Sequence, residues 1–211
     1  MSAPDTPRFP LVFLDRLRMA TDGQGVTALA GAYGCPLSCR LCINPYTWQE
    51  KTLFEWVTPA ELYDRVKQDN LYYLATGGGV TFGGGEPLCH AAFIAAFREI
   101  APKEWHICAE TSLHVPADNV RTAAGCVDHF FVDIKDTDPA IYEAYTGRDN
   151  ASVMDNLARL LALAGPDRVT VRVPLIPGFN TEEDRTRSLE VLHRMGVVRT
   201  DLFRYRVPSN S

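Results

Sequence analysis

The chain has 211 residues, 46% hydrophobic and 22% charged, with a formal net charge of −5. That length supports one domain with a substantial core. The acidic balance argues against nonspecific nucleic-acid binding, which needs a basic footprint. No apolar run is long enough to span a bilayer, and Met1–Met19 lacks the order of a secretory signal. Six cysteines, three of them clustered, suit a reducing cytosol better than a disulfide framework, so a cytoplasmic location is expected.

Val26–Tyr33 reads as a strand entering a cysteine-rich loop, and Asn44–Val57 as a long irregular stretch, a kind that often carries function. Thr58, Pro59 and Glu61 open a helix reaching about Asp69, with Thr as N-cap, Pro in the first turn and Glu at the third position. Gly79–Phe82 is a short buried strand ending in Gly83–Pro87, followed by a helix over Cys89–Ile100. Next come a strand at Trp105–Glu110, a helix at Ala117–Ala124 and a strand at His129–Lys135. Helices at Pro139–Tyr145 and Ser152–Leu163, a strand at Arg168–Leu175, a helix at Glu182–Met195 and a strand at Thr200–Val207 complete the order.

Six alternations of strand and helix imply an α/β fold with a parallel sheet and right-handed crossovers. Six units are too few to close an eight-stranded barrel. They suit an open partial barrel, and a doubly wound sheet shares the pattern. In barrels the active site lies at the C-terminal strand ends. The cysteine loop follows the first strand and Gly83–Pro87 the second. Glu110, Thr111 and Ser112 end the third, Asp133 and Lys135 the fourth, and Arg172 lies on the fifth. All fall on one rim.

Cys35, Cys39 and Cys42 bring three thiols within eight residues. Three is one short of a closed zinc site and one short of the thiolates that saturate a four-iron cluster. A cube held by three would leave one iron open. The same spacing fits three cysteines on one helix face, or a zinc site completed by a distant His. Cys89, Cys108 and Cys126 read as buried small residues, and the five histidines are scattered. Trp48 reads as a packing residue or as part of a cavity mouth.

GCPLSCRLCINPYTW, GGGVTFGGGEPL (Gly77–Leu88), FVDIKDTDPAIYEAYTGRDN (Phe131–Asn150) and VRVPLIPGFN (Val171–Asn180) occur in order, with ATDGQGV (Ala20–Val26) upstream. Together they resemble the radical S-adenosylmethionine (SAM) enzymes, and within them the glycyl radical enzyme activases such as the pyruvate formate-lyase activating enzyme. The resemblance implies a single radical SAM domain over residues 1–211, built as an open, partial (β/α)6 TIM-like barrel. Its cluster loop would span residues 34–48. A ferredoxin-like insert and the closing C-terminal segment are expected to be absent.

By the same resemblance, Cys35, Cys39 and Cys42 would ligate a [4Fe–4S] cluster, whose fourth iron is chelated by the SAM amino and carboxylate groups. Leu41 would pack near the adenine. Gly84 and Gly85 would orient the SAM ammonium, and Glu86 would brace that loop or bind the ammonium. Glu110 and Thr111 would approach the ribose and, with Asp133, frame a monovalent-cation site. Lys135 and Arg172 would face the methionine carboxylate; their other reading is as strand-end salt bridges. No catalytic side chain beyond cluster and SAM is required. The implied reaction is reductive cleavage of SAM to a 5′-deoxyadenosyl radical, which installs a glycyl radical on a partner enzyme. A flavodoxin or ferredoxin would supply the electron. Neither nucleic acid nor membrane is an expected partner. The alternatives are a small-molecule enzyme of the 7-carboxy-7-deazaguanine synthase type, a peptide-modifying enzyme, or a degenerate protein that retains the cluster. Five positions depart from the family pattern: Thr27 for Arg, Ile43 for His, Gly83 for Ser, Glu110 for Asp and Arg206 for His.

Overall fold

The structure is a computed structural model, in which residues 6–19 and 22–205 are described. Arg206 and the first two residues of the ATDGQGV stretch therefore lie outside the described residues.

Among the described residues, one sheet of eight strands carries the fold. Its members are β1 (Phe9–Met19), β2 (Val26–Ala32), β3 (Glu55–Val57), β4 (Gly79–Gly84), β5 (His106–Thr111), β6 (His129–Asp133), β7 (Val169–Leu175) and β8 (Arg199–Arg204). The spatial order is β3-β1-β2-β4-β5-β6-β7-β8. From β2 to β8 the neighbours pair in parallel. These are the six strands expected from the sequence. Their order advances without reversal, so the sheet has no switch point of the doubly wound kind. The terminal strands β3 and β8 do not pair with each other, and the barrel is open.

Two strands went unanticipated. β1 pairs antiparallel with both β2 and β3. Its register shifts between Asp15 and Arg18, and Leu17 takes a positive φ of 57°, which breaks the two-residue alternation that marks a strand. β3 is three residues long and exists through pairing with β1, so Asn44–Val57 is not irregular throughout.

Seven α-helices are described: α1 (Pro59–Val66), α2 (Asn70–Thr76), α3 (Ala91–Ile100), α4 (Ala117–Ala124), α5 (Pro139–Thr146), α6 (Ala151–Ala164) and α7 (Glu182–Arg194). α1 opens on the expected capping box: Glu61 N–H donates to Thr58 Oγ1, and Thr58 N–H donates to Glu61 Oε2. It stops at Val66 rather than near Asp69. A single tight turn, Lys67–Asp69, leads into α2, where Arg16 of β1 clasps buried Asp69 through Nε and Nη2 at 2.5 and 2.6 Å. The contact spans 53 positions and is invisible to local pattern.

The core lies between the outer face of the sheet and the helices. Phe82 of β4 is fully buried, with its ring against Phe9, Phe93 and Phe97. β8 is largely exposed. Replacing Phe82 with Ala is expected to cost about 3–5 kcal/mol through lost burial and the cavity left behind. Leu202→Ala on β8, where the side chain is already 47% exposed, should change stability by no more than about 0.5 kcal/mol. Urea denaturation of both variants measures the contrast.

Candidate active site

The C-terminal ends of the parallel strands open into one cavity of about 740 Å³. Its wall brings together Cys35, Cys39, Cys42, Gly84, Gly85, Glu110, Thr111, Asp133, Lys135 and Arg172. Two further predicted residues lie outside it: half-buried Leu41, whose neighbour Ile43 lines the wall, and buried Glu86. Trp48 is half-buried and also outside the lining.

The cysteine loop leaves β2 as irregular backbone, so the three thiols do not share a helix face. It is held from two sides. On one, Gly85 N–H donates to Ala32 O (3.0 Å) and Glu86 N–H to Gly34 O (2.8 Å). A Cβ at Gly85 would collide with the Gly34 carbonyl. Its lack of a side chain therefore serves contact with the cysteine loop before any ligand is considered. On the other side, Ser38 N–H donates to Thr146 O (3.0 Å) and Arg40 N–H to Tyr145 O (3.1 Å), both at the end of α5. Arg148 Nε adds a bond to Pro36 O.

The three cysteines are free thiols. Burial pushes Cys35 up to about 12 and Cys39 up to about 11, with Lys135 pulling Cys39 the other way. Among the described residues no group of three His, Cys, Asp or Glu is gathered closely enough to hold a single metal ion. The cysteines are instead spread along the cavity wall, and no histidine lines it to complete a zinc site. Three soft sulfur donors facing a shared space fit an iron–sulfur cluster. The remaining cysteines depart from expectation. Cys108 is buried, but Cys126 is half-buried and Cys89 is exposed. Cys89 sits in a short turn just before α3, where the sheet does not cover it.

In the same cavity as the thiols, four charged side chains cross the ends of β5, β6 and β7. Arg172 donates through Nη1 to Glu110 Oε1 (2.8 Å) and through Nε to Asp133 Oδ1 (2.7 Å). Lys135 Nζ donates to Asp133 Oδ2 and to the Tyr205 hydroxyl, both at 3.1 Å. Burial works to raise Asp133, but Lys135 and Arg172 outweigh it and hold the carboxyl below its ordinary value. Glu110 goes the other way, because burial outweighs Arg172. Lys135 stays well above its ordinary value, since burial is outweighed by Asp133.

Glu86 is a brace. Its Oε1 accepts from Thr111 Oγ1 (2.7 Å) and Leu88 N–H (3.2 Å), and its Oε2 from Ser112 N–H (2.8 Å) and Ser112 Oγ (2.6 Å). The three from Thr111 and Ser112 tie the glycine loop to the end of β5, and the one from Leu88 closes the turn that follows Glu86. Gly83 and Glu110 are neighbours across the rim. A Cβ at Gly83 would stand 2.9 Å from Glu110 Oε2 and 3.0 Å from Leu29 Cδ1, so the Glu110 side chain takes part of the space a Ser at position 83 would need.

The sequence did not point to the residues that line the cavity from the outer strands. β1 contributes Phe13, Asp15 and Arg18, and β8 and its end contribute Asp201, Phe203, Arg204 and Tyr205. Alternate spacing at 13 and 15, and at 201, 203 and 205, is the strand signal that marks them.

The site thus joins three free thiols and a charged rim in one cavity of an open α/β barrel. Residues 31–190 match the radical SAM superfamily, and the chain belongs to it. An isethionate sulfite-lyase activating enzyme of Desulfovibrio desulfuricans is 41% identical over 126 residues, which is 59% of this chain and 40% of that protein. Its namesake from Nitratidesulfovibrio vulgaris is 35% identical, over 82% of this chain and 76% of its own. The chain thus spans less than half of the first relative and about three quarters of the second. The second alignment runs over 234 positions, more than this chain's 211, so the relative carries residues inside the matched span that this chain lacks. Among solved structures, Streptococcus suis SuiB bound to precursor peptide SuiA has a TM-score of 0.63 at 12% identity, over 84% of this chain and 38% of that one. That likeness is one of fold.

Asp133 carries a pH signature. Its folded carboxyl titrates below the ordinary value of about 3.9, so the folded state binds fewer protons than the unfolded one across that interval. The stabilisation is complete above the unfolded range and is lost as pH falls through the lowered folded value. Asp133→Asn is expected to cost about 3 kcal/mol at pH 7 by leaving Lys135 and half of Arg172 unpaired. The gap should narrow below about pH 4, read by urea denaturation across pH. The Gly83–Glu110 pair predicts coupling. Gly83→Ser should destabilise alone and be rescued by Glu110→Asp, with an interaction of about 1 kcal/mol in a double-mutant cycle.

Proposed function

We propose that this domain holds a [4Fe–4S] cluster on Cys35, Cys39 and Cys42 and SAM across the rest of the cavity, and that it is the activating enzyme of a glycyl radical enzyme. The observation that carries the reading is that three free thiols and a four-member charge chain line one cavity. The names of the relatives support the activase assignment. When bound, cluster and SAM supply the one-electron cleavage that yields a 5′-deoxyadenosyl radical.

The chain's residues bind and orient. Gly84 and Gly85 present backbone to the methionine ammonium. Thr111 and Glu110 lie where the ribose would rest. Lys135 and Arg172 supply positive charge for the methionine carboxylate, on side chains already fixed by Asp133 and Glu110. Fixed partners keep these cations from reorganising when an anion arrives. A monovalent cation beside Asp133, Glu110 and Thr111 belongs to the same proposal. Leu41 stands outside the cavity wall, and Ile43 or Leu37 takes its place as the apolar surface for the adenine.

The gap between the ends of the sheet gives a polypeptide lateral access. Phe13 and Arg18 of β1 and Phe203 and Arg204 of β8 line the same cavity as the thiols. The partner's glycine-bearing segment enters there. Electrons come from an external flavodoxin or ferredoxin, because no second cysteine group accompanies the first in this chain. Among the described residues no helix is long and apolar enough to cross a membrane, and a cytoplasmic location accords with the free thiols.

The test is anaerobic reconstitution with iron and sulfide, followed by reduction in the presence of SAM. Wild type should release 5′-deoxyadenosine, and Cys39→Ala should fall to background. Incubation with a glycyl radical enzyme encoded nearby should then raise a protein-radical signal in electron paramagnetic resonance. A loaded cluster that never cleaves SAM would instead mark a degenerate cluster-binding protein.

A further inference from the structure

The residue just past the exposed edge strand β8 reaches across the end of β7 to a side chain that follows β6. Tyr205 N–H donates to Leu175 O at the end of β7 (3.0 Å), which fixes its backbone to the sheet. Its ring packs on Phe203 and on buried Tyr145, with centroids 5.4 and 6.3 Å apart. Its hydroxyl accepts from Lys135 Nζ at 3.1 Å, and the ammonium stands 5.8 Å from the ring centroid. Tyr205 and Lys135 both line the cavity.

An ammonium carries three donors and no acceptor. Lys135 spends one on Asp133 Oδ2 and one on Tyr205, each at 3.1 Å. Among the described residues these are its hydrogen bonds, so one N–H is left for an anion in the cavity. A lysine held by Asp133 alone could still swing on its flexible stem. The second contact, from a tyrosine anchored in the ring cluster, sets where the ammonium stands. A donor already fixed loses less freedom when its ligand arrives.

We propose that Tyr205 is a positioning residue: by accepting from Lys135 it fixes the ammonium for the methionine carboxylate of SAM, so that recognition of this carboxylate depends on the edge strand β8. The inference rests on the reading of the cavity as a SAM site. Tyr205 acts through Lys135.

The experiment is equilibrium dialysis of the reconstituted, oxidised protein with SAM and with decarboxylated SAM, which lacks the methionine carboxylate. It compares wild type, Tyr205→Phe and Leu202→Ala. Tyr205→Phe keeps the ring and removes only the hydroxyl. Leu202 lies on β8 outside the cavity lining. Tyr205→Phe should weaken SAM by about threefold to tenfold, the size expected for one hydrogen bond, and leave decarboxylated SAM unchanged. Leu202→Ala should change neither. Amide hydrogen exchange over residues 199–205 gives a second readout. SAM should slow it in wild type, and by less in Tyr205→Phe. Unchanged SAM affinity in Tyr205→Phe, equal weakening of both ligands, or equal slowing of exchange by SAM in the two proteins overturns the proposal and leaves the SAM reading intact. Failure of the reconstituted wild type to bind SAM overturns both.

Discussion

Arg172 lies between two carboxylates on neighbouring strands, and the cavity depends on that arrangement. Parallel strands stand about 4.8 Å apart, so acids at the ends of β5 and β6 would repel each other across a poorly hydrated rim. Arg172 on β7 reaches both, and Lys135 takes the remaining oxygen of Asp133. Two cations and two anions leave the set neutral. It is strong where partners are present and costly where one is missing. The ends of three strands thus carry charge in paired form, and that part of the cavity lining is polar and cross-linked by ion pairs.

The cysteine loop is built by a different device. It has no regular structure of its own, and its shape is borrowed from neighbours. Gly85 and Glu86 grip its start through backbone bonds, while the end of α5 grips its middle. Glu86 extends the grip to the end of β5 through three donors on Thr111 and Ser112. Thiols on an irregular loop are thus held by a strand end, a helix end and a buried carboxylate. Preorganisation of this kind lets a loop carry chemistry that needs fixed geometry. Gly83 and Glu110 follow the same logic, since the missing side chain at one leaves room for the long acid at the other.

The open edge completes the arrangement. β1 doubles back antiparallel beside β2, and β8 closes the parallel run with most of its surface exposed. Both send side chains into the cavity lining, and they are the two strands that carry the weakest local signal. The charged rim lies on the parallel strands in the middle of the sheet, where the backbone is paired on both sides.

The sequence determined the parallel strands, the helices with clear caps and the residues of the inner rim, because these follow from short-range rules. Apolar runs bounded by turns mark strands, the Thr58–Glu61 box marks a helix start, and residues just after strands fall on one rim. The three cysteines and the Gly-Gly-Glu-Pro turn were legible for the same reason: their meaning is written within a few positions. Tertiary structure alone decided the rest. β3 exists through pairing with β1, the turn after α1 is fixed where Arg16 meets Asp69, Glu86 turns inward to four donors, and Ile43 rather than Leu41 lines the cavity. Each of these depends on groups distant along the chain or on the direction a side chain takes once packed. A linear pattern carries the propensity of a segment, but not the partner that will satisfy its buried charge or its unpaired strand edge.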